Sequence, residues 1–382
     1  MKIALVHDWL NGMRGGEKCL EVFCELFPDA RLYALFHEKG KMSPVIEAMD
    51  IRTSFIQKLP FVCNKYRFYL PLFPKAIKRL DFSGYDLVIS LSHCVAKGAI
   101  PRDGAKHICY CFTPMRYVWD MYEHYFGKGR GGIAGRVMPF FAPRLRRWDK
   151  AASERVTQFV AISEHVRERI QRCYGRESDV IHPPVDCERF KPSGPVEDYY
   201  LIVSAFAPYK RIDIAVEAFR ESGRPLRIIG SGQDEANLKR TTPGNIEFLG
   251  WQPDEALVRH YSGCRAFIFP GEEDFGITPL EAQACGRPVI AFGKGGALET
   301  VVPAGNRGGA EPTGVFFDDQ TPEGLNEAID SFEKSEKSFR PDAARKNALR
   351  FDRKIFKKRV DDYISKFLEG PRRKTEEVGA AK

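Results

Sequence analysis

Short apolar runs separated by amphipathic stretches recur along the whole chain, and this alternation is what a parallel sheet covered by crossover helices requires. The pattern occurs twice. Apolar runs at 2–7, 86–91, 107–111, 159–162 and 179–182 read as strands of one sheet, and those at 200–204, 226–230, 246–249, 266–269, 289–292 and 315–317 as strands of another. After Gly15 and Gly16, the residues Leu20, Phe23, Cys24 and Phe27 stand at i, i+3, i+4 and i+7, one apolar stripe of a first helix. The stretch HPPVDCERFKPSGPVEDYY at 182–200 is too rich in proline and glycine for a helix or a central strand and reads as a linker. Residues 342–369 read as a polar helix and 371–382 as a disordered tail. The expectation is an α/β chain of two doubly wound, Rossmann-like domains, 1–185 and 186–345, facing across a cleft. A segment 346–382 follows, whose helix is expected to cross back to the first domain. A length of 382 residues with 43% hydrophobic content suits two such cores.

The first ten residues carry an apolar run of only Ile3 to Val6, which is short for a secretory leader, and no stretch reaches the roughly 18 apolar residues of a membrane span. Ten scattered cysteines without a Cys-x-x-Cys pair read as reduced thiols. These features lead us to expect a soluble, cytoplasmic protein. The formal charge of +8 suits an anionic partner without saying which one.

In an open α/β sheet the chemistry is sought at strand ends. The stretch GEEDFGITPLEAQACG (271–286) follows one apolar run and precedes another. Within it Thr278 reads as an N-cap, Pro279 as the first helical residue and Glu281 as the third, reaching back as in a capping box. Glu273 lies in the loop ahead of this helix. An ionised carboxylate accepts hydrogen bonds from hydroxyls but repels phosphate, so acids here suit an uncharged alcohol. The first-helix glycines Gly15 and Gly16 allow close backbone approach to a ligand, as in many ordinary βα turns. Gly230-Ser231-Gly232 lacks the spacing of a dinucleotide fingerprint, and no Asp-x-Asp pair or metal-spaced His/Cys cluster occurs. His93 and His107 read as structural.

EDFGITPLEAQACGRPVIA, in which Glu273 and Glu281 frame seven residues, resembles the E-x7-E motif of retaining glycosyltransferases of the GT-B fold, often called family 4. VSAFAPYKRIDIAVEAF, IIGSGQDEANL, VAISEHVRERI and VIHPPVDCERF extend the resemblance over most of the chain. HDWLNGMRGGEKCLE and CYCFTPMRYVWDMYEHYF resemble bacterial and archaeal mannosyltransferases of surface polysaccharide assembly. The resemblance implies an acceptor-side first domain and a donor domain after it. It implies that Glu273 binds hexose hydroxyls, that the backbone at Phe275, Gly276 and Ile277 meets sugar and phosphate, and that Glu281 binds the ribose. Lys210 would hold the diphosphate and, with Glu273, carry catalysis, with Gly16 approaching from across the cleft. Many relatives place an arginine five residues before this lysine; here that place is Ala205, and Arg211 is the candidate to replace its charge. Arg116, Trp119 and Asp120 are the acceptor-site candidates. Relatives often carry a histidine near this strand end, some of them where Phe112 stands, so no catalytic histidine is assigned.

The implied reaction moves a hexose, mannose from GDP-mannose, with retention, onto a lipid-linked or saccharide acceptor, with no resident cofactor and no essential metal. Arginines and lysines at 128, 130, 136, 144, 146, 147 and 150 interleave with Phe140, Phe141, Leu145 and Trp148. This patch is expected to touch anionic lipid, placing the enzyme peripherally on the inner face of the cell membrane. Alternatives are a UDP-sugar-dependent transferase, a sugar-nucleotide epimerase or a phosphorylase of the same architecture, and a non-enzymatic nucleic-acid binder. A nicotinamide dehydrogenase would need the missing glycine fingerprint. No nucleic-acid module is recognisable, so nucleic acid is not expected as a partner.

Overall fold

The computed structural model describes residues 1–102, 104–120, 122, 132–240, 242–305 and 309–369. The expected 371–382 tail lies outside them. The first domain holds seven parallel strands: β1 (Ile3–His7), β2 (Arg31–Ala34), β3 (Asp50–Thr53), β4 (Leu87–Ser92), β5 (Lys106–Cys111), β6 (Gln158–Ala161) and β7 (Ser178–Val180), in the order β3-β2-β1-β4-β5-β6-β7. The second holds six: β8 (Tyr200–Val203), β9 (Leu226–Ile229), β10 (Ile246–Gly250), β11 (Phe267–Phe269), β12 (Val289–Phe292) and β13 (Gly314–Phe317), in the order β10-β9-β8-β11-β12-β13. Two doubly wound, Rossmann-like sheets are therefore present, as the alternation requires. β2 and β3 escaped the sequence reading, because Arg31, Asp50 and Arg52 interrupt their apolar pattern.

Both orders reverse direction between their first strand and the strand that returns beside it, β1 with β4 and β8 with β11. Loops after those strands diverge and leave a crevice at the carboxyl edge of each sheet. Helices that matter for this crevice are α1 (Gly15–Leu26), α2 (Gly132–Ser153), α3 (Glu164–Tyr174), α4 (Ile212–Ser222), α5 (Ile277–Ala284), α6 (Ala297–Thr300), α7 (Pro341–Leu349) and α8 (Arg353–Glu369). The single helix expected over 342–369 is two, because the chain between α7 and α8 pairs with the linker. Val185 donates its N–H to Phe351 O at 2.9 Å, and Arg353 donates to Val185 O at 3.0 Å.

α8 then lies on the first domain. Phe356, Val360 and Ile364, four apart, are buried on one face, and the Phe356 ring packs against Phe23 of α1 and Tyr110 of β5. Arg353 forks onto Glu25 at 2.8 and 3.0 Å and onto Glu21 at 3.0 Å.

Deep in the first domain Lys97 and Asp149, 1% and 0% exposed, form an ion pair. Lys97 also donates to Cys94 O at 2.8 Å, while Asp149 Oδ2 accepts from Trp119 Nε1 at 2.9 Å and from the Tyr174 hydroxyl at 2.7 Å. Removing one partner strands the other charge away from water. Lys97→Met should therefore lower the unfolding free energy by about 3–5 kcal/mol, read by urea denaturation; a loss below about 1 kcal/mol would show that the pair is not holding this core.

Candidate active site

Loops after β1, β4 and β5 of the first sheet and after β8 and β11 of the second carry the polar groups that meet between the sheets. After β8 a short turn (Pro208–Lys210) presents Lys210, and Arg211, at φ +51°, reverses the chain into α4. After β11 comes Glu273, whose carboxylate pairs with the Lys210 ammonium. Burial would favour the neutral lysine, but the Glu273 carboxylate outweighs it and holds the Lys210 pKa above its ordinary value. The ammonium stays charged. Glu273 is fixed from behind by its own backbone, whose carbonyl accepts the Gly296 N–H at 2.8 Å.

α5 begins two residues earlier than its sequence suggests. Gly276, at φ +94°, is the N-cap and Ile277 the first helical residue, and no side chain caps the end. Thr278 is thus inside the helix, and the capping box expected of Thr278 and Glu281 is not formed: glycine can enter the left-handed region that a threonine cap would not need. The amides of the first turn are left without helical partners. Phe275 is turned into the core, its ring stacked on His182 at 5.4 Å and edged by Phe351.

Glu281 is 5% exposed, and both of its oxygens are engaged. Oε1 accepts from Lys18 Nζ at 2.9 Å and Oε2 from the Tyr261 hydroxyl at 2.9 Å. Lys18 belongs to α1, so this is a contact across the cleft, and Glu281 raises its pKa. A Cβ on Gly15 would lie 2.8 Å from Ile277 Cδ1, so the β1 loop and α5 meet in close contact there and any side chain at 15 would displace the isoleucine tip. Gly16 sits behind it, against Phe112 and His7. Arg211 forks onto Asp213 and donates to Gln320 Oε1 at 3.2 Å.

Arg116 reaches the same cluster from the first domain, donating to Asp274 Oδ2 at 2.6 Å and to the Tyr209 hydroxyl at 3.2 Å. Asp274 also pairs with Arg169, and its backbone carbonyl accepts from Ser163 Oγ at 2.5 Å. Burial would raise the Asp274 carboxyl, but Arg169 and then Arg116 outweigh it and hold it below the ordinary 3.8. Asp120 lies one step back, accepting from Arg169 Nε at 2.6 Å and Arg172 at 2.9 Å. Trp119 donates to Asp149 and lies under Arg146 at 5.2 Å, lining an outer surface cavity with Arg147 and Lys150. Of the three acceptor-site candidates, Arg116 is the one that touches the Lys210 loop. In the basic stretch, Arg144, Arg147, Lys150 and Phe140 are exposed, Phe141 and Trp148 are half-buried and Leu145 is buried; Lys128, Arg130 and Arg136 lie outside the described side chains.

Sequence reasoning missed four further members. Asp8, fully buried, accepts the backbone N–H groups of His93, Cys94, Val95 and Ala96 at 2.6–2.9 Å. Its Oδ2 stands 3.1 Å from Nδ1 of His93, whose side chain is 22% exposed beside Phe112. Burial pushes the His93 pKa down to about 4, against the pull of Asp8, so the ring is neutral at pH 7. His107 is fully buried on Ser90 Oγ at 2.8 Å and structural. Glu299 of α6 accepts the first amides of α3, from Glu164 at 2.9 Å and His165 at 3.1 Å, and meets His182 at 2.9 Å. Asp274 and Lys18 complete the set. The partners of these four lie 85 residues or more away, which no local pattern discloses.

Two family models match the chain in tandem: Glycosyltransferase Family 4 over residues 29–189 and Glycosyl transferases group 1 over residues 188–350. A GDP-mannose-dependent monoacylated alpha-(1-6)-phosphatidylinositol monomannoside mannosyltransferase of Corynebacterium glutamicum is 32% identical over 37% of this chain and 46% of its own length. The O-antigen chain mannosyltransferase C of Escherichia coli is 34% identical over 25% of this chain and 28% of its own. The chain thus spans less than half the length of either relative. Among solved structures, the Thermosynechococcus elongatus sucrose-phosphate synthase has a TM-score of 0.73 and Anabaena HepE in complex with UDP one of 0.69. Each is 16% identical, with at least 96% of this chain and 100% of the other covered, which establishes the two-domain fold.

Asp274 generates a test. Its depressed pKa means that its contribution to stability is complete above pH 3.8 and is lost as the pH falls through the lower folded value. Asp274→Asn should cost about 3 kcal/mol at pH 7 by urea unfolding. The gap between variant and parent should shrink in acid; a gap that is constant down to pH 3 would refute the ion-pair account.

Proposed function

Since the chain belongs to the group 1 and family 4 glycosyltransferases, we propose that it transfers a hexose with retention from a sugar nucleotide, mannose from GDP-mannose, onto a lipid-linked or saccharide acceptor in cell-surface polysaccharide synthesis. The observation that carries this reading is the Lys210–Glu273 pair, a cation and an acid side by side on the loop that leads into the Ile277 helix start, which the Gly15 loop of the other domain approaches. In it, Glu273 accepts hydrogen bonds from hexose hydroxyls, and Lys210 gives its charge to the diphosphate. Backbone amides at Phe275, Gly276 and Ile277 add fixed dipoles, and Gly16 lets the opposite loop come close. Glu281 takes the ribose hydroxyls, sharing or exchanging Lys18. Arg211 stands in for the charge missing at Ala205 after releasing Asp213.

The chemical step breaks the bond between the anomeric carbon and the phosphate oxygen and forms one from the same carbon to the acceptor oxygen. The acceptor's proton passes to the departing diphosphate on the same face of the sugar. Negative charge grows on that diphosphate, so cations already in place lower the barrier. Arg116, one hydrogen bond from the Lys210 loop, borders the acceptor; Asp120, through Arg169, and Trp119, through Asp149, hold its wall. Mannose and GDP are favoured by the names of the bacterial relatives, and a UDP-sugar is the second reading, favoured by the UDP held in the Anabaena structure.

Differential scanning fluorimetry with GDP, UDP, ADP and their sugar conjugates tests the donor, because a ligand that binds the folded state raises the melting temperature. GDP and GDP-mannose should give the largest shifts; a larger UDP shift selects the second reading, and no shift with any of them rejects the proposal. Glu273→Gln and Lys210→Ala should each lower turnover by about 10²–10³ with the fold intact, and near-normal turnover in both would reject the assignment. Turnover should survive a metal chelator, since the charges proposed to meet the diphosphate come from the chain itself.

A further inference from the structure

Among the described residues, three phenylalanines are exposed, Phe61 at 74%, Phe68 at 58% and Phe140 at 72%, and Leu72 adds 40%. They lie on two elements that touch each other. Phe61, Phe68 and Leu72 lie on a single segment, and α2, which carries Phe140, packs against its Tyr66–Leu72 turn. Soluble surfaces seldom gather large apolar side chains in this way without a partner. Phe61 also holds a left-handed backbone at φ +53°, uncommon for an aromatic residue.

Charge narrows the choice of partner. Residues 51–80 contain seven lysines and arginines and not one aspartate or glutamate, and 132–148 contain four arginines and no acid. Lys58, Lys65, Arg67, Lys75, Arg144 and Arg147 are exposed, and Lys65 stands over the Phe61 ring at 5.6 Å. Aromatic residues ringed by cations fit the boundary between acyl chains and anionic head groups, where rings enter the interface and the ammonium groups stay at phosphate level. A nucleic acid would reward the cations but leave the phenylalanines in water unless its bases were free to stack.

We propose that this face, Phe61, Phe68, Leu72 and Phe140 with their basic neighbours, docks the protein on an anionic lipid bilayer. It extends the basic patch of α2 onto a second element and gives it an apolar centre. The face backs directly onto the crevice: Tyr66 packs on Trp9 at 4.8 Å, and Trp9 meets His93 edge-on at 4.5 Å. A docked chain therefore holds the His93 wall close to the lipid surface, where a lipid-linked acceptor would be found. The proposal stands on exposure and charge, and does not depend on the donor or on transfer itself.

The test is co-sedimentation of the full chain, without nucleotide, with phosphatidylcholine vesicles prepared with and without phosphatidylglycerol. Binding should require phosphatidylglycerol and weaken with added salt. Phe61→Ser combined with Phe68→Ser, and separately Lys65→Glu combined with Arg67→Glu, should each reduce binding about tenfold or more. All four positions are exposed, so the melting temperatures of the free variants should stay within about 3 °C of the parent. Absence of parent binding to anionic vesicles overturns the proposal, as does binding that neither pair of substitutions changes. Retention on an oligonucleotide that the Lys65/Arg67 pair abolishes, together with vesicle binding indifferent to the Phe61/Phe68 pair, replaces the bilayer with nucleic acid. Failure of the donor panel would leave this result standing, and failure here would leave the donor site untouched.

Discussion

Two neighbouring carboxylates with opposite obligations organise the molecule. Glu273 is neutralised from within its own domain by Lys210, while Asp274, the next residue, is neutralised from the other domain by Arg116 and Arg169. One peptide unit thereby ties the acid proposed to face the sugar to the interface between sheets. If Asp274 lost its partners, the loop after β11 would lose its anchor, and the Glu273 carboxylate would lose the fixed geometry on which an oriented hydrogen bond depends. Interior charges are costly unless paired, and here Glu273 and Asp274 each have a cation within reach.

Pairing of this kind also describes a site prepared for exchange. Lys210 and Lys18 are both occupied by glutamates, and the sugar nucleotide proposed as donor would bring what releases them. In that proposal its diphosphate would accept from the ammonium groups, and its hydroxyls would donate to the carboxylates. No charge need be bared during the swap, so the cost of holding ionised groups in a half-buried crevice is met before and after binding alike.

Sheets were legible because hydrophobic runs of four or five residues repeat with helical stretches between them, and β1, β4, β5 and β8 through β13 all fall on such runs. β2 and β3 did not, since charged residues interrupt them. The neighbourhood of Glu273, Glu281 and Lys210 could be read because each stands in a local pattern beside a strand end. Asp8 and Asp274 carry no such mark. Asp8 works by accepting four consecutive amides some 85 residues on, and Asp274 by meeting arginines more than a hundred residues earlier, so their importance is a property of the folded chain. The start of α5 was misread for a related reason: Ser, Thr and Asp advertise a cap, whereas a left-handed glycine is silent until the backbone is seen.

The domains are joined where the chain passes from one to the other twice, once through the linker and once between α7 and α8, and the two passages are bonded together at Val185. A lone tether lets the bodies it joins swivel freely about any axis. A doubled one behaves as a hinge with two knuckles: it bends about a single line and resists torsion. Any opening of the crevice must therefore deform both crossings together.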